Sequence, residues 1–187
     1  LGHCGPGAPA LDATLAARIL AGGPLPTPVT RRPERILILT RGGEGGRIVG
    51  VKGCGLSEEI FRAHFGRRAV VPAPIFMEAM AQVVGWGVIH AHDFKLSAIM
   101  SLVEGFRFED VRLRPGFTAT IGGEILSTSR RDSLCRCWVD ADGRRIATLD
   151  RIIFAHFAPV DPELLIDRFL YYSGWTREQL FPKEAQP

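Results

Sequence analysis

The chain has 187 residues, of which 46% are hydrophobic and 23% are charged. This is the composition of an ordinary globular domain, and it excludes a disordered chain, a collagen-like repeat and a disulfide scaffold. The length suits one domain with arms rather than two full domains. Lysine and arginine number 23 against 20 for aspartate and glutamate, so the net charge of +3 does not by itself predict binding to nucleic acid.

The cysteine pattern predicts reduced thiols. The four cysteines include no Cys-x-x-Cys pair, and Cys135 and Cys137 would point to the same side of a strand. Two pairs of possible metal ligands are interpreted as loop and helix-end residues instead: His3–Cys4 and His90–His92. We therefore expect a cytoplasmic protein that holds no metal.

No segment is predicted to span a membrane. The longest apolar stretch, residues 79–89, is too short and is interrupted by Gln82, Gly85 and Gly87. The first residues carry no signal-peptide pattern. We expect no contact with a membrane.

The first part of the chain is predicted to be an arm followed by a β-hairpin. Residues 1–33 are rich in proline, and Asp12 can cap a short helix there. Apolar runs at 36–40 and 47–52 then flank a glycine-rich stretch at 42–46. A phosphate-binding loop would lead into a helix and end in Gly-Lys-Ser/Thr. Here a second β-like run follows, so the sequence predicts a hairpin.

One long helix is predicted at the centre of the chain. A helical turn capped by Ser57 precedes it. The long helix starts at Pro74, which also favours an extended backbone at Ala73, and it runs to about His90. Its residues are apolar around nearly the whole circumference, so we expect it to be buried on all sides.

Four long β-type runs follow the helix, at 96–108, 117–127, 134–140 and 145–157. Turns at 115–116 and 140–143 separate some of them. Two strands, a buried helix and four antiparallel strands imply an α+β fold, in which a curved antiparallel sheet wraps around one long central helix. We assign this domain to residues 34–158. Residues 159–187 form a helical arm capped by Asp161, which we expect to pack on the sheet or on a partner.

Two polar residues interrupt the apolar central helix. Glu78 and Gln82 are four residues apart and share one face, so the amide of Gln82 can hydrogen-bond the carboxyl. Burial of an unpaired carboxylate costs several kcal/mol. Glu78 should therefore be protonated, paired, or on the wall of a cavity, unless this face simply reaches solvent.

A motif extends from the preceding loop into this helix. It consists of His64-Phe65, Pro72 and the run Glu78-Ala79-Met80-Ala81-Gln82. It resembles the signature of the β-hydroxyacyl-acyl-carrier-protein dehydratases, hotdog-fold enzymes of fatty acid synthesis, which reads His-Phe-Pro-Gly-x-Pro-x-Met-Pro-Gly-Val-Leu-x-x-Glu-Ala-Met-Ala-Gln. Flanking similarity extends over about residues 33–158. A glutamate rather than an aspartate at position 78 resembles the branch that only dehydrates.

The resemblance implies removal of water from a 3-hydroxyacyl thioester to give a trans-2-enoyl thioester, with no cofactor. By resemblance, His64 is the base for the C2 proton and Glu78 is the acid for the departing hydroxyl. The backbone N–H of Ala73, where the family has glycine, would polarise the thioester carbonyl. Gln82 would support the carboxyl. In the family the histidine and glutamate of one site come from different subunits, which implies an obligate homodimer.

The implied partner is an acyl carrier protein, which is acidic and presents its substrate on a phosphopantetheine arm. Arg67 and Arg68 lie beside His64 and would form a basic rim that steers it. RNA binding is the weaker alternative because no stacking-aromatic motif is present. The loop 66–69 and Ala73 depart from the family pattern. Two alternatives therefore stay open: a non-catalytic hotdog protein that binds acyl chains or acyl carrier protein, and a hotdog thioesterase.

Overall fold

The computed structural model of the protein describes residues 36–39, as a strand only, together with residues 45–55, 69–109 and 113–181. The helices predicted at Asp12 and Ser57 lie outside these ranges. So do three residues of the predicted site, His64, Arg67 and Arg68. What was predicted for them stays a prediction.

The described residues form six strands and three helices. In chain order they are β1 (Ile36–Leu39), β2 (Arg47–Cys54), α1 (Ala73–Ala91), β3 (Ser97–Phe108), β4 (Phe117–Thr128), β5 (Asp132–Ala141), β6 (Arg144–Phe157), α2 (Pro162–Ser173) and α3 (Arg177–Leu180).

The six strands form one antiparallel sheet in the order β1-β2-β4-β5-β6-β3. The predicted hairpin at the start of the sheet is confirmed, because β1 pairs with β2 around Ile38 and Val49. Asp142 and Gly143 connect β5 to β6 with φ angles of 50° and 74°. Positive φ at both positions matches the twist of a two-residue hairpin, which explains the Asp-Gly sequence.

The central helix α1 lies against the sheet and contacts β2 through β6. Met80, Val84 and Val88 are four residues apart and are all fully buried. Gly123 on β4 lets the helix approach closely, because a Cβ atom at this position would lie 2.0 Å from Val84 Cγ2. A curved antiparallel sheet around one long helix is the hotdog arrangement that the sequence predicts.

Two details of α1 differ from the prediction. The helix begins at Ala73 and not at Pro74, so Pro74 is the second helical residue, a position that needs no N–H donor. The helix is also not buried on all sides. Glu78, Gln82 and Trp86, four residues apart, form a half-buried stripe, because the sheet leaves this face uncovered.

The C-terminal arm packs on the protein's own core. The predicted cap is confirmed, since the Asp161 carboxylate accepts a hydrogen bond from the backbone N–H of Glu163 at 3.0 Å. Phe169 of α2 is 1% exposed, and its ring lies 5.6 Å from that of Trp86 on α1 and 5.7 Å from that of Phe94. The arm therefore covers the second half of α1.

Candidate functional site

The candidate site is centred on Glu78, in the second turn of α1. Gln82 Nε2 donates a hydrogen bond of 2.8 Å to Glu78 Oε1. Both side chains are half-buried and lie on the stripe of α1 that the sheet does not cover. Glu78 is thus hydrogen-bonded and lines a cavity, which is among the arrangements that the sequence analysis allows for it.

That cavity has a volume of about 260 Å³ and follows α1 from Glu78 toward the end of the helix. Among the described residues on its wall, Glu78 has the one charged side chain, and Gln82 contributes a side-chain amide. The remaining lining is apolar, contributed by α1, β3, β6 and α2: Ala81, Gly85, Trp86, Ile89, Ala98, Ile99, Met100, Phe154 and Leu165. Such a wall suits a hydrocarbon chain whose reactive end lies at the carboxyl.

The N-terminus of α1 provides a second polar element near the carboxyl. Pro72 precedes the helix in an extended conformation, and no side chain caps the helix. The N–H groups of a first helical turn have no partner within the helix, and the helix dipole makes this end electropositive. Ala73 is the first helical residue and is half-buried. Its N–H therefore has the character that a carbonyl-binding donor requires.

The segment that leads into α1 is anchored to the domain. Ala69 packs against the core, and Val71 is 7% exposed. The predicted base His64 and the basic rim of Arg67 and Arg68 lie before this segment, outside the described residues. The distance from His64 to Glu78 is therefore a prediction that the described residues do not address.

The buried cysteines are not candidates for nucleophilic catalysis. Cys54, Cys135 and Cys137 are buried inside the core. Burial raises the pKa of Cys135 to about 12 and raises the pKa of Cys137 well above its ordinary value. Only the thiolate is a good nucleophile, so these residues are inert core residues.

A chain of four hydrogen-bonded side chains lies at the far end of α1, and the sequence analysis did not find it. His92 Nε2 contacts Thr128 Oγ1 at 3.0 Å, Thr128 Oγ1 contacts Ser133 Oγ at 2.8 Å, and Ser133 Oγ contacts His156 Nε2 at 2.9 Å. The two imidazole rings lie 4.7 Å apart. Burial lowers the pKa of both histidines. No sequence spacing predicts this cluster, because its members are the residue that follows α1 and residues of β4, β5 and β6.

The arginines of the sheet are largely engaged in cross-strand ion pairs, as expected for strands exposed on one face. The pairs are Arg107–Asp150, Arg136–Glu124, Arg145–Asp140 and Arg151–Glu104. In the parts of the chain that the structure describes, no cluster of three or more His, Cys, Asp or Glu side chains could hold a metal ion. No helix in the same ranges is long and apolar enough to cross a membrane.

Sequence comparison finds relatives among the 3-hydroxyacyl-[acyl-carrier-protein] dehydratases. A family model described as the FabA-like domain matches residues 25–149. The 3-hydroxyacyl-[acyl-carrier-protein] dehydratase FabZ of Caldanaerobacter subterraneus subsp. tengcongensis is 35% identical over 74 residues, which are 39% of this chain and 52% of that enzyme. The FabZ of Bacillus thuringiensis is 32% identical over 108 residues, 57% of this chain and 69% of that enzyme. The chain thus spans about half the length of the first of these relatives.

Solved structures with the same fold include a dehydratase and a thioesterase. The dehydratase heterocomplex ApeI:P from Xenorhabdus doucetiae matches with a TM-score of 0.53 and 12% identity over 73% of this chain and 88% of that chain. A hypothetical thioesterase with coenzyme A from Streptococcus pneumoniae matches with a TM-score of 0.51 and 14% identity over 68% and 88%. At this identity the likeness shows the fold alone.

Proposed function

The chain belongs to the FabA-like family, and on this basis we propose that it dehydrates 3-hydroxyacyl thioesters carried by an acyl carrier protein. The C2–H and C3–O bonds of the substrate break, a C2–C3 double bond forms, and water leaves. The reaction is redox-neutral, so it needs no electron carrier. The observation that carries the proposal is a carboxyl, Glu78, fixed by Gln82 at one end of an apolar cavity.

Each step needs one group, and the chain offers a candidate for each. Glu78 donates the proton that leaves with the C3 hydroxyl, and the hydrogen bond from Gln82 holds its carboxyl toward the cavity. The N–H of Ala73 binds the thioester carbonyl oxygen, which gains negative charge as the C2 proton leaves. His64 takes the C2 proton, a role assigned from the family motif. Arg67 and Arg68 guide the acyl carrier protein, also by that motif.

We place the enzyme in a homodimer that forms along β3. This strand is a 12-residue edge of the sheet, and edge strands of monomeric proteins are usually shielded. Three apolar side chains on it are unusually open: Ile99, Met100 and Leu102 are 40%, 38% and 42% exposed. Ile99 and Met100 also line the cavity, so a second copy on this edge would close its open side.

The proposed dimer can be tested by a substitution that introduces a charged side chain on β3. Leu102→Asp should give a monomer in analytical ultracentrifugation, because two unpaired carboxylates would be buried in the interface. Leu126→Asp on β4, a leucine of similar exposure away from β3, is the matched control and should leave the mass unchanged. A dimeric Leu102→Asp variant would contradict this interface.

The activity is tested with 3-hydroxyacyl thioesters of acyl carrier protein, by following the absorbance of the enoyl thioester. Glu78→Gln should lower kcat by about 10²–10⁴-fold, the usual contribution of a general acid. His64→Ala should have a similar effect. Glu109→Gln is the matched control, because Glu109 is exposed, is not among the described residues that line the cavity, and its carboxylate lies 3.9 Å from Arg144 in a long, exposed ion pair.

Three outcomes would overturn the proposal. Unchanged activity in Glu78→Gln would remove the carboxyl from the mechanism. Release of free thiol instead of enoyl product would identify a thioesterase. Salt-dependent binding of acyl carrier protein without turnover at any chain length would identify a binding protein.

A further inference from the structure

The C-terminal arm contributes to the wall of the cavity. Of the eleven described residues that line the cavity, ten belong to α1, β3 and β6, and one, Leu165, belongs to α2. Leu165 is 5% exposed and lies one helical turn before Phe169, whose ring contacts Trp86. The helix that supplies Leu165 therefore also packs on Trp86, which lies two helical turns after Glu78 on α1.

Caps at both ends and aromatic contacts along its length hold α2 in place. Asp161 caps its first turn, and Gly174 ends it in the left-handed conformation with φ of 70°. Between these ends, the ring of Phe169 packs against Trp86, Phe94 and Trp175, with centroids 5.6–6.0 Å away. A side chain held on such a rigid element is a fixed boundary and not a movable flap.

The polarity of the cavity sets the direction in which a substrate would lie. The polar groups Glu78 and Gln82 are at one end, and the wall beyond them is apolar. A helix rises 1.5 Å per residue, so Trp86 lies about 12 Å along α1 from Glu78, and Ile89 lies about 16 Å from it. Gly85 lies between Glu78 and Trp86, and a Cβ atom there would come 3.3 Å from the Phe154 ring, so α1 and β6 approach each other closely at this point.

We propose that α2 forms the end wall of the acyl-binding cavity and that Leu165 limits the length of acyl chain the protein accepts. The inference rests on the proposed function, because it assumes that the acyl chain starts at Glu78 and extends along α1. The volume of about 260 Å³ lies just below the usual range of about 300–1,000 Å³ for ligand cavities, which indicates a short or medium chain. Leu165 is thus a specificity-determining residue that makes no contact with the reacting atoms.

The test changes the size of residue 165 and measures which chain length is preferred. Leu165→Ala opens the end wall, so kcat/KM for longer 3-hydroxyacyl thioesters relative to shorter ones should rise about tenfold or more, since one methylene is worth at least that much in an apolar pocket. Leu165→Phe should lower the same ratio. Leu164→Ala is the matched control, because Leu164 is the adjacent residue of the same helix and is 37% exposed. Its ratio should equal that of the wild type.

A binding experiment separates this inference from the proposed activity. Saturated acyl-pantetheine amides of graded length lack the 3-hydroxyl group and cannot be dehydrated, so their Kd values, measured by calorimetry, report the cavity alone. If the wild type has no turnover but Leu165→Ala shifts the preferred length upward, the end wall is supported and the activity is refuted. If Leu165→Ala and Leu164→Ala share the wild-type length profile, the end wall is refuted. Leu165→Met conserves the volume of the side chain and should keep the wild-type dependence of Kd on chain length. If Leu165→Met shifts the preferred length as far as Leu165→Ala does, the size of residue 165 does not set the length and the end wall is refuted.

Discussion

The contact between Gly123 and Val84 fixes how α1 lies on the sheet, and Gly123→Ala tests it. The added Cβ would lie 2.0 Å from Val84 Cγ2 and 3.2 Å from the backbone oxygen of Arg136. Val84 is fully buried, so the helix and strand must move apart. Overpacking of this kind costs about 1–3 kcal/mol, offset by about 0.4–1 kcal/mol from the stiffer unfolded chain. We expect a net loss of about 1–2 kcal/mol in the free energy of unfolding.

Two further variants isolate the clash. Gly53→Ala is the matched control, since Gly53 is also a strand glycine but has no atom within 4 Å of its added Cβ. It should be neutral or stabilise by about 0.4–1 kcal/mol. Val84→Ala removes the clashing methyl group and alone should cost about 2 kcal/mol. In the double variant the new Cβ fills the vacated space. Its loss of unfolding free energy should therefore be about 1 kcal/mol smaller than the sum of the losses in the two single variants.

Urea unfolding followed by circular dichroism measures these differences at one fixed protein concentration, because a dimer links stability to concentration. A loss of 1 kcal/mol should lower Tm by about 2–4 °C in a chain of this size. The reasoning is refuted if Gly123→Ala and Gly53→Ala have the same unfolding free energy. It is also refuted if the loss in the double variant equals the sum of the two single losses to within about 0.3–0.5 kcal/mol.

Two other predictions concern Phe169 in α2 and the histidine pair beyond the end of α1. Phe169→Ala should lower the free energy of unfolding by about 3–5 kcal/mol in the same urea assay, because the ring is fully buried among aromatic side chains. The control Leu164→Ala should change it by less than about 0.5 kcal/mol. Similar losses in both variants would show that the arm is not part of the core. The unfolding free energy should also fall as the pH drops below about 6.5, because the unfolded chain then binds protons at His92 and His156 that the folded chain, with lowered pKa values, does not. The loss should level off once both imidazoles are protonated in the folded state. A double variant His92→Gln/His156→Gln should flatten this part of the pH profile, and an unaltered slope in it would exclude the pair as the cause.

Local sequence predicted the elements because their signals are local. Apolar and β-type runs bounded by turn residues predicted the strands to within a few residues, and the cap at Asp161 was correct. The motif also placed Glu78 and Gln82 together, since residues four apart on a helix always share a face. These features depend on backbone geometry and on neighbours in the chain, which the sequence contains explicitly.

The sequence did not predict which side of α1 would stay open, because that depends on where distant strands cross it. It gave no sign that Leu165, 87 positions after Glu78, would line the same cavity. The sequence likewise did not predict that hydrogen bonds connect His92 to His156, since these pass through Thr128 and Ser133 of the β4–β5 hairpin. The family, the elements and the carboxyl of the candidate site can all be read from local patterns in the chain. The shape and the end of the cavity cannot, because they follow from packing between segments that no local pattern connects.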